Sequence, residues 1–179
     1  MEQIRVHGRG GQGVVTATEL IALAAFYEGK QAQAFPNFGV ERTGAPIQSY
    51  ARISSEPIIT REQIYAPTVL IIQDATLLET VDVLAGADQN TRVIINAEKN
   101  IWPKLKVPAK NIYCSPATAI ALSLFGKNIV NTVILGAFAK FTGLVSLESL
   151  QKAIAEKFAA KGQALIDKNI QAVAQAYEK

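Results

Sequence analysis

The residues Gln3-Ile4-Arg5-Val6-His7-Gly8-Arg9-Gly10-Gly11-Gln12-Gly13 decide how the chain is read. Residues 3–7 form a short strand pattern, the glycines break it, and an apolar helical stretch runs from about Val14 to Glu28. Leu20, Leu23, Ala24 and Tyr27 share one face of that helix, and Gly29 supplies a left-handed stop. Strand, glycine turn and helix open a doubly wound α/β fold. Outward from there, residues 68–72 and 92–95 are continuous apolar runs, as expected of parallel strands buried on both faces. A helix from about Leu77 to Ala85 fits between them. Another strand lies near Asn111-Ile112-Tyr113, with helices around 117–125 and 131–141. Leu147, Leu150, Ile154 and Phe158 make one helical stripe and Ile166, Ile170, Val173 and Tyr177 another. The fold expected is α/β: a Rossmann-like, mostly parallel sheet flanked by helices, with one antiparallel strand and two C-terminal helices, as a single domain over residues 1–179.

One segment fits neither period. Between Ala34 and Pro46 two prolines and two glycines exclude a regular helix or central strand and predict a loop. Long loops in compact domains are usually functional. This one carries Phe35, Phe38 and Arg42, residue types favoured as interface anchors, beside Glu41 and Thr43. Residues 47–53 then alternate apolar and polar, the pattern of a half-exposed antiparallel strand.

Composition narrows the chemistry. With 179 residues, 49% of them hydrophobic, the chain can bury a sizeable core. Its net charge of +3 is scattered without a basic block, which argues against a nucleic-acid partner. The N-terminus has no basic-then-apolar leader, and no apolar run approaches the ~20 residues of a membrane span, so a cytoplasmic chain is expected. Cys114 and His7 are the only cysteine and histidine. A cysteine-ligated iron–sulfur cluster, which takes about four thiolates, therefore belongs to another chain, and a His/Cys metal site has no raw material.

Gly8, Gly10 and Gly13 have the spacing of a dinucleotide turn, whose backbone N–H groups approach a diphosphate at a helix N-terminus. The acidic residue that should follow about 20 positions later to hold a ribose is missing from residues 30–34. Two readings stay open: a tight packing turn, or a site for a phosphate-bearing group other than NAD. Arg9 and Gln12 lie within that turn. His7 reads as a hydrogen-bonded structural residue, Asp74 and Asn96 as cap or turn residues at strand ends, and Cys114 as a small buried hydrophobe. No catalytic residue and no metal ligand is assigned.

The glycine turn together with Gln33-Ala34-Phe35-Pro36-Asn37-Phe38-Gly39-Val40-Glu41-Arg42-Thr43-Gly44-Ala45-Pro46 resembles the gamma subunits of pyruvate and related 2-oxoacid:ferredoxin (flavodoxin) oxidoreductases, and Asn131-Thr132-Val133-Ile134-Leu135-Gly136-Ala137 adds to the likeness. The resemblance implies a noncatalytic component. Its partners would be alpha and beta subunits carrying thiamine diphosphate and Mg, a ferredoxin-like delta subunit with [4Fe–4S] clusters, and ferredoxin or flavodoxin as acceptor. The implied reaction turns a 2-oxoacid and coenzyme A into acyl-CoA, carbon dioxide and reduced ferredoxin, with pyruvate the favoured acid and 2-oxoglutarate next. Gly8, Arg9, Gly10, Gly11, Gln12 and Gly13 would contact coenzyme A phosphate, and Phe35, Phe38, Glu41, Arg42 and Thr43 would face other subunits. The competing expectation is a stand-alone nucleotide-binding oxidoreductase.

Overall fold

The computed structural model describes residues 1–37, 43–99, 101 and 105–179. Six strands, β1 (Glu2–Arg9), β2 (Gln31–Pro36), β3 (Pro46–Ser54), β4 (Val69–Ile72), β5 (Arg92–Asn96) and β6 (Ile112–Ser115), form one sheet in the order β2-β3-β1-β4-β5-β6. β1, β4, β5 and β6 are parallel, and β3 runs antiparallel to both β1 and β2. This is the expected Rossmann-like α/β sheet with an antiparallel insertion. The helices are α1 (Val14–Tyr27), the single turn α2 (Leu77–Thr80), α3 (Ala117–Phe125), α4 (Val133–Thr142), α5 (Leu147–Lys157) and α6 (Gln163–Glu178). Among the described residues, no helix is long and apolar enough to cross a membrane.

Strand alternation sends Ile4, Val6, Ala51, Ile53, Val69, Ile71 and Ile94 to one face, where they join α1, α3, α4, α5 and α6 in one apolar core. Gly136 sets the closeness of α4 to α6: a Cβ there would stand 2.0 Å from the Val173 carbonyl oxygen. The opposite face carries Leu70, Ile72, Val93 and Ile95 in a second cluster, together with Arg5 and His7 of β1. Segments without regular structure cover much of it.

Three expectations are corrected. The helix read from Leu77 to Ala85 ends at Thr80, with Val81 extended (φ −137°, ψ 143°). Tertiary demand explains this, because the buried Arg5 draws the carbonyls of Val83 and Ala85 onto its Nη2 (3.1 and 2.6 Å). The loop read from Ala34 to Pro46 is shorter, since β2 runs through Pro36 and β3 begins at Pro46. Proline is tolerated at a strand's first residue and on an edge strand, which β2 is. β3 is not half-exposed: Tyr50, Ala51, Arg52 and Ile53 are all buried, because β3 lies inside the sheet between β2 and β1.

Candidate functional site

The turn after β1 faces the ends of β3 and β4, and the chain treats the two sides differently. On the β4 side, where a doubly wound fold opens its crevice, Arg9 Nε donates to Asp74 Oδ2 at 2.9 Å and Nη2 to Thr76 Oγ1 at 2.8 Å. The Gln12 side chain turns inward too: its Oε1 accepts from Arg9 N (2.7 Å) and its Nε2 donates to Asp74 Oδ2 (3.3 Å). Partial burial works to raise the Asp74 carboxyl, but hydrogen bonds from Thr76 and Arg9 and the arginine's charge outweigh it and hold it below the ordinary carboxylate range. The crevice is thus bridged by an anchored carboxylate. A dinucleotide diphosphate there would have to displace a like charge.

The β3 side is open. Gly10 exchanges backbone bonds with the segment that leads into β3, Gly10 N to Ala45 O (2.9 Å) and Gly44 N to Gly10 O (3.0 Å). Beside it a cleft of about 440 Å³ is lined by Gly11, Gly13, Val14, Val15, Thr43 and Ile47. Gly13 ends the turn in the left-handed conformation (φ 69°), and no side chain caps α1. The first N–H groups of that helix have no acceptor within it and carry its positive dipole end. Among the described residues, nothing stands within 4 Å of where a Cβ on Gly11 (φ 92°) would point. A Cβ on Gly13 would stand 2.4 Å from Asn131 Nδ2, so the glycine turn packs directly against the segment that begins α4.

His7 is 2% exposed and accepts from Arg5 Nε at Nε2 (3.0 Å), which leaves its proton on Nδ1. Burial, and then the Arg5 charge, push it down to about 3. It is a neutral acceptor for a buried arginine, with its lone pair occupied. Asn96, the last residue of β5, acts as a cap: its Oδ1 accepts from Thr118 N (3.0 Å), holding the first turn of α3. Burial raises the Cys114 thiol, which is half-buried against the second apolar cluster.

Of the residues expected to face other subunits, Phe35 is half-buried, with its ring 5.2 Å from that of Tyr50 and 5.0 Å from Arg52 Cζ. Thr43 is exposed at the cleft mouth. Phe38, Glu41 and Arg42 lie outside the described residues. Sequence reasoning missed Arg52, 1% exposed, and Gln73, 1% exposed just past β4; among the described residues Arg52 Nε and Nη1 and both Gln73 amide atoms have no partner. Its residue type in an apparently alternating strand was the only signal for Arg52. Among the described residues, no three His, Cys, Asp or Glu side chains gather as a metal site.

Residues 3–179 match the family described as pyruvate ferredoxin/flavodoxin oxidoreductase. The chain is 49% identical over 182 residues to the pyruvate/ketoisovalerate oxidoreductases common subunit gamma of Pyrococcus furiosus, covering all of this chain and 97% of that protein. It is 50% identical over 179 residues to pyruvate synthase subunit PorC of Methanocaldococcus jannaschii, with the same coverage. The crystal structure of pyruvate oxidoreductase subunit PORC from Thermotoga maritima superposes with a TM-score of 0.83 at 34% identity, over 99% of this chain and 96% of that one. With the glycine turn, the inserted antiparallel strand and the α4–α6 pair all within the matched span, the chain belongs to the pyruvate ferredoxin/flavodoxin oxidoreductase family.

Proposed function

We propose that the chain is the gamma-type component of a cytoplasmic 2-oxoacid:ferredoxin oxidoreductase, folded as one domain over residues 1–179, and that the start of α1 binds the diphosphate of coenzyme A. The observation that supports the first part is identity of about half over the full chain with proteins named as gamma or PorC subunits. Their names favour pyruvate as the acid. When bound, thiamine diphosphate supplies the decarboxylation and [4Fe–4S] clusters carry the electrons, both on partner chains. A chain with one cysteine and one histidine offers no ligand set for such a cluster.

What this chain contributes is position and electrostatics. The cleft at Gly11, Val14 and Val15 presents backbone N–H donors and a helix dipole with no cap in the way. Arg9 and Gln12 act behind it by bracing the turn against Asp74. Their side chains are engaged within the protein, so the anion meets backbone first. The stand-alone nucleotide-dependent reading is disfavoured by the Arg9–Asp74 bridge across the crevice. Measurable NAD(P) binding by the isolated chain would revive it.

Purification from the native cell tests the first part: thiamine- and cluster-binding companions are expected, and their absence removes the proposal. The second part is tested by coenzyme A titration of the intact complex. Val15→Pro deletes one N–H in the first helical turn, where proline is tolerated, and should weaken binding about tenfold, the worth of one hydrogen bond to a charged group. Unchanged affinity in Val15→Pro removes the helix start.

A further inference from the structure

β2 is an outer strand of the sheet, and one bond reveals which of its backbone groups are free. Asn37 N donates to Gln48 O at 3.1 Å. In the antiparallel register that pairs Phe35 with Tyr50 and Gln33 with Arg52, the odd-numbered residues therefore turn their N–H and C=O toward β3, and Ala32 and Ala34 turn theirs outward. Among the described residues nothing pairs with those outward groups. An unpaired edge is a template for another strand.

A cleft of about 580 Å³ opens along this edge, with Ala34, Phe35 and Pro36 on one side and Arg61 and Gln63 on the other. Beneath it lies a buried arginine. Arg52, 1% exposed, lies against the Phe35 ring and donates from Nη2 to the Glu62 carbonyl, and among the described residues Nε and Nη1 have no acceptor. Gln33 Oε1, on the paired residue of β2, is buried without a donor. Among the described residues neither Arg52 nor the exposed Arg61 forms an ion pair; Glu62, whose charge Arg52 feels, is itself exposed. The same loop holds Ile59 and Tyr65 in solvent, 90% and 71% exposed. Unpaired amides, unmatched cations and bare apolar side chains thus lie together on one flank.

We propose that the free edge of β2 receives an extended segment of a partner subunit, which adds to the sheet outside β2 and sets a carboxylate in the cleft against Arg61, within the field of the buried Arg52. The partner is acidic, because a second copy paired edge to edge about a two-fold axis would bring the two arginine clusters together. Main-chain bonds to Ala32 and Ala34 supply the pairing and the arginines select the segment. Pro36, with no N–H, ends the ladder. This rests on the reading of the chain as a subunit of a complex.

The test uses the assembled complex. Amide exchange over residues 31–36 should slow at least about tenfold on assembly, as for amides newly held in a ladder. Ala34→Pro removes an outward N–H without touching the β2–β3 bonds, and Arg61→Glu reverses an exposed charge; each should weaken assembly about tenfold or more. If the complex forms with unchanged exchange at 31–36 and unaltered affinity in both variants, the strand addition is overturned while the subunit reading stands. If no complex forms at all, both fall. Self-association of the isolated chain that Ala34→Pro abolishes makes the occupant a second copy and overturns the proposal. So does Glu41→Gln matching Arg61→Glu with no added effect in the double variant, since the counter-charge then belongs to this chain.

Discussion

The two faces of the sheet are sealed by opposite means. One is closed by five helices over a continuous apolar core, with Phe138 and Leu135 of α4 fully buried at its centre. The other is closed over β1 and β3 by loops held to buried arginines, Arg5 through three donor contacts and Arg52 through one. Burial of apolar surface is indifferent to direction, so the helical face tolerates any neighbour that keeps its volume. A buried guanidinium instead demands acceptors at fixed positions, and leaving them unfilled costs free energy. The loop-covered face is therefore the one suited to being completed by another molecule, and the helical face the one that makes the chain stable by itself.

Three measurements would break or sharpen that contrast. The largest effect is expected on the helical face: Phe138→Ala should lower unfolding free energy by about 4 kcal/mol in denaturant titration, as for other large buried aromatics. A loss below about 1 kcal/mol would mean that face is not the stabilising one. Next comes pH. The His7 imidazole, held down to about 3 in the folded chain, stays neutral there while the unfolded chain takes up a proton below its ordinary 6.5. Its contribution is thus complete above about pH 6.5 and is lost as pH falls toward 3. Between pH 7.5 and 4.5 the wild type should lose about 2 kcal/mol more than His7→Gln, which keeps an acceptor for Arg5. Equal losses would remove His7 as the origin. The smallest effect belongs to Arg52→Met: with two donors already unpartnered, its replacement by an apolar side chain should leave the isolated chain unchanged or up to about 1 kcal/mol more stable. A clear loss would show that Arg52 is satisfied within the chain and needs nothing from outside.

Local patterns carried most of the architecture. The strand, glycine turn and helix at residues 3–28 and the apolar runs at 68–72 and 92–95 appear where their periods place them. The failures share a cause. The helix read through Ala85 stops at Thr80 because Arg5, some 80 residues away in sequence, draws on the carbonyls of Val83 and Ala85. β3 looked half-exposed because Gln48, Ser49 and Arg52 are polar, yet it lies inside the sheet with Ser49 bonded to Thr18 of α1 (2.7 Å). At the candidate site the turn and its glycines were legible. The sealing of one side by Asp74 was not, since nothing local pairs Arg9 with a residue at the end of another strand.

By itself the order of residues determined the strand, glycine turn and helix at residues 3–28, the left-handed stop at Gly29 and the lack of ligands for a cluster, because each depends on near neighbours or on an inventory. Tertiary structure alone decided that β3 enters between β2 and β1, that the crevice beside β4 is bridged while the cleft beside β3 is open, and that Arg52 is buried short of acceptors. Those outcomes turn on which distant groups come within hydrogen-bonding distance, and a distance of about 3 Å between strands leaves no trace in a local pattern of polarity.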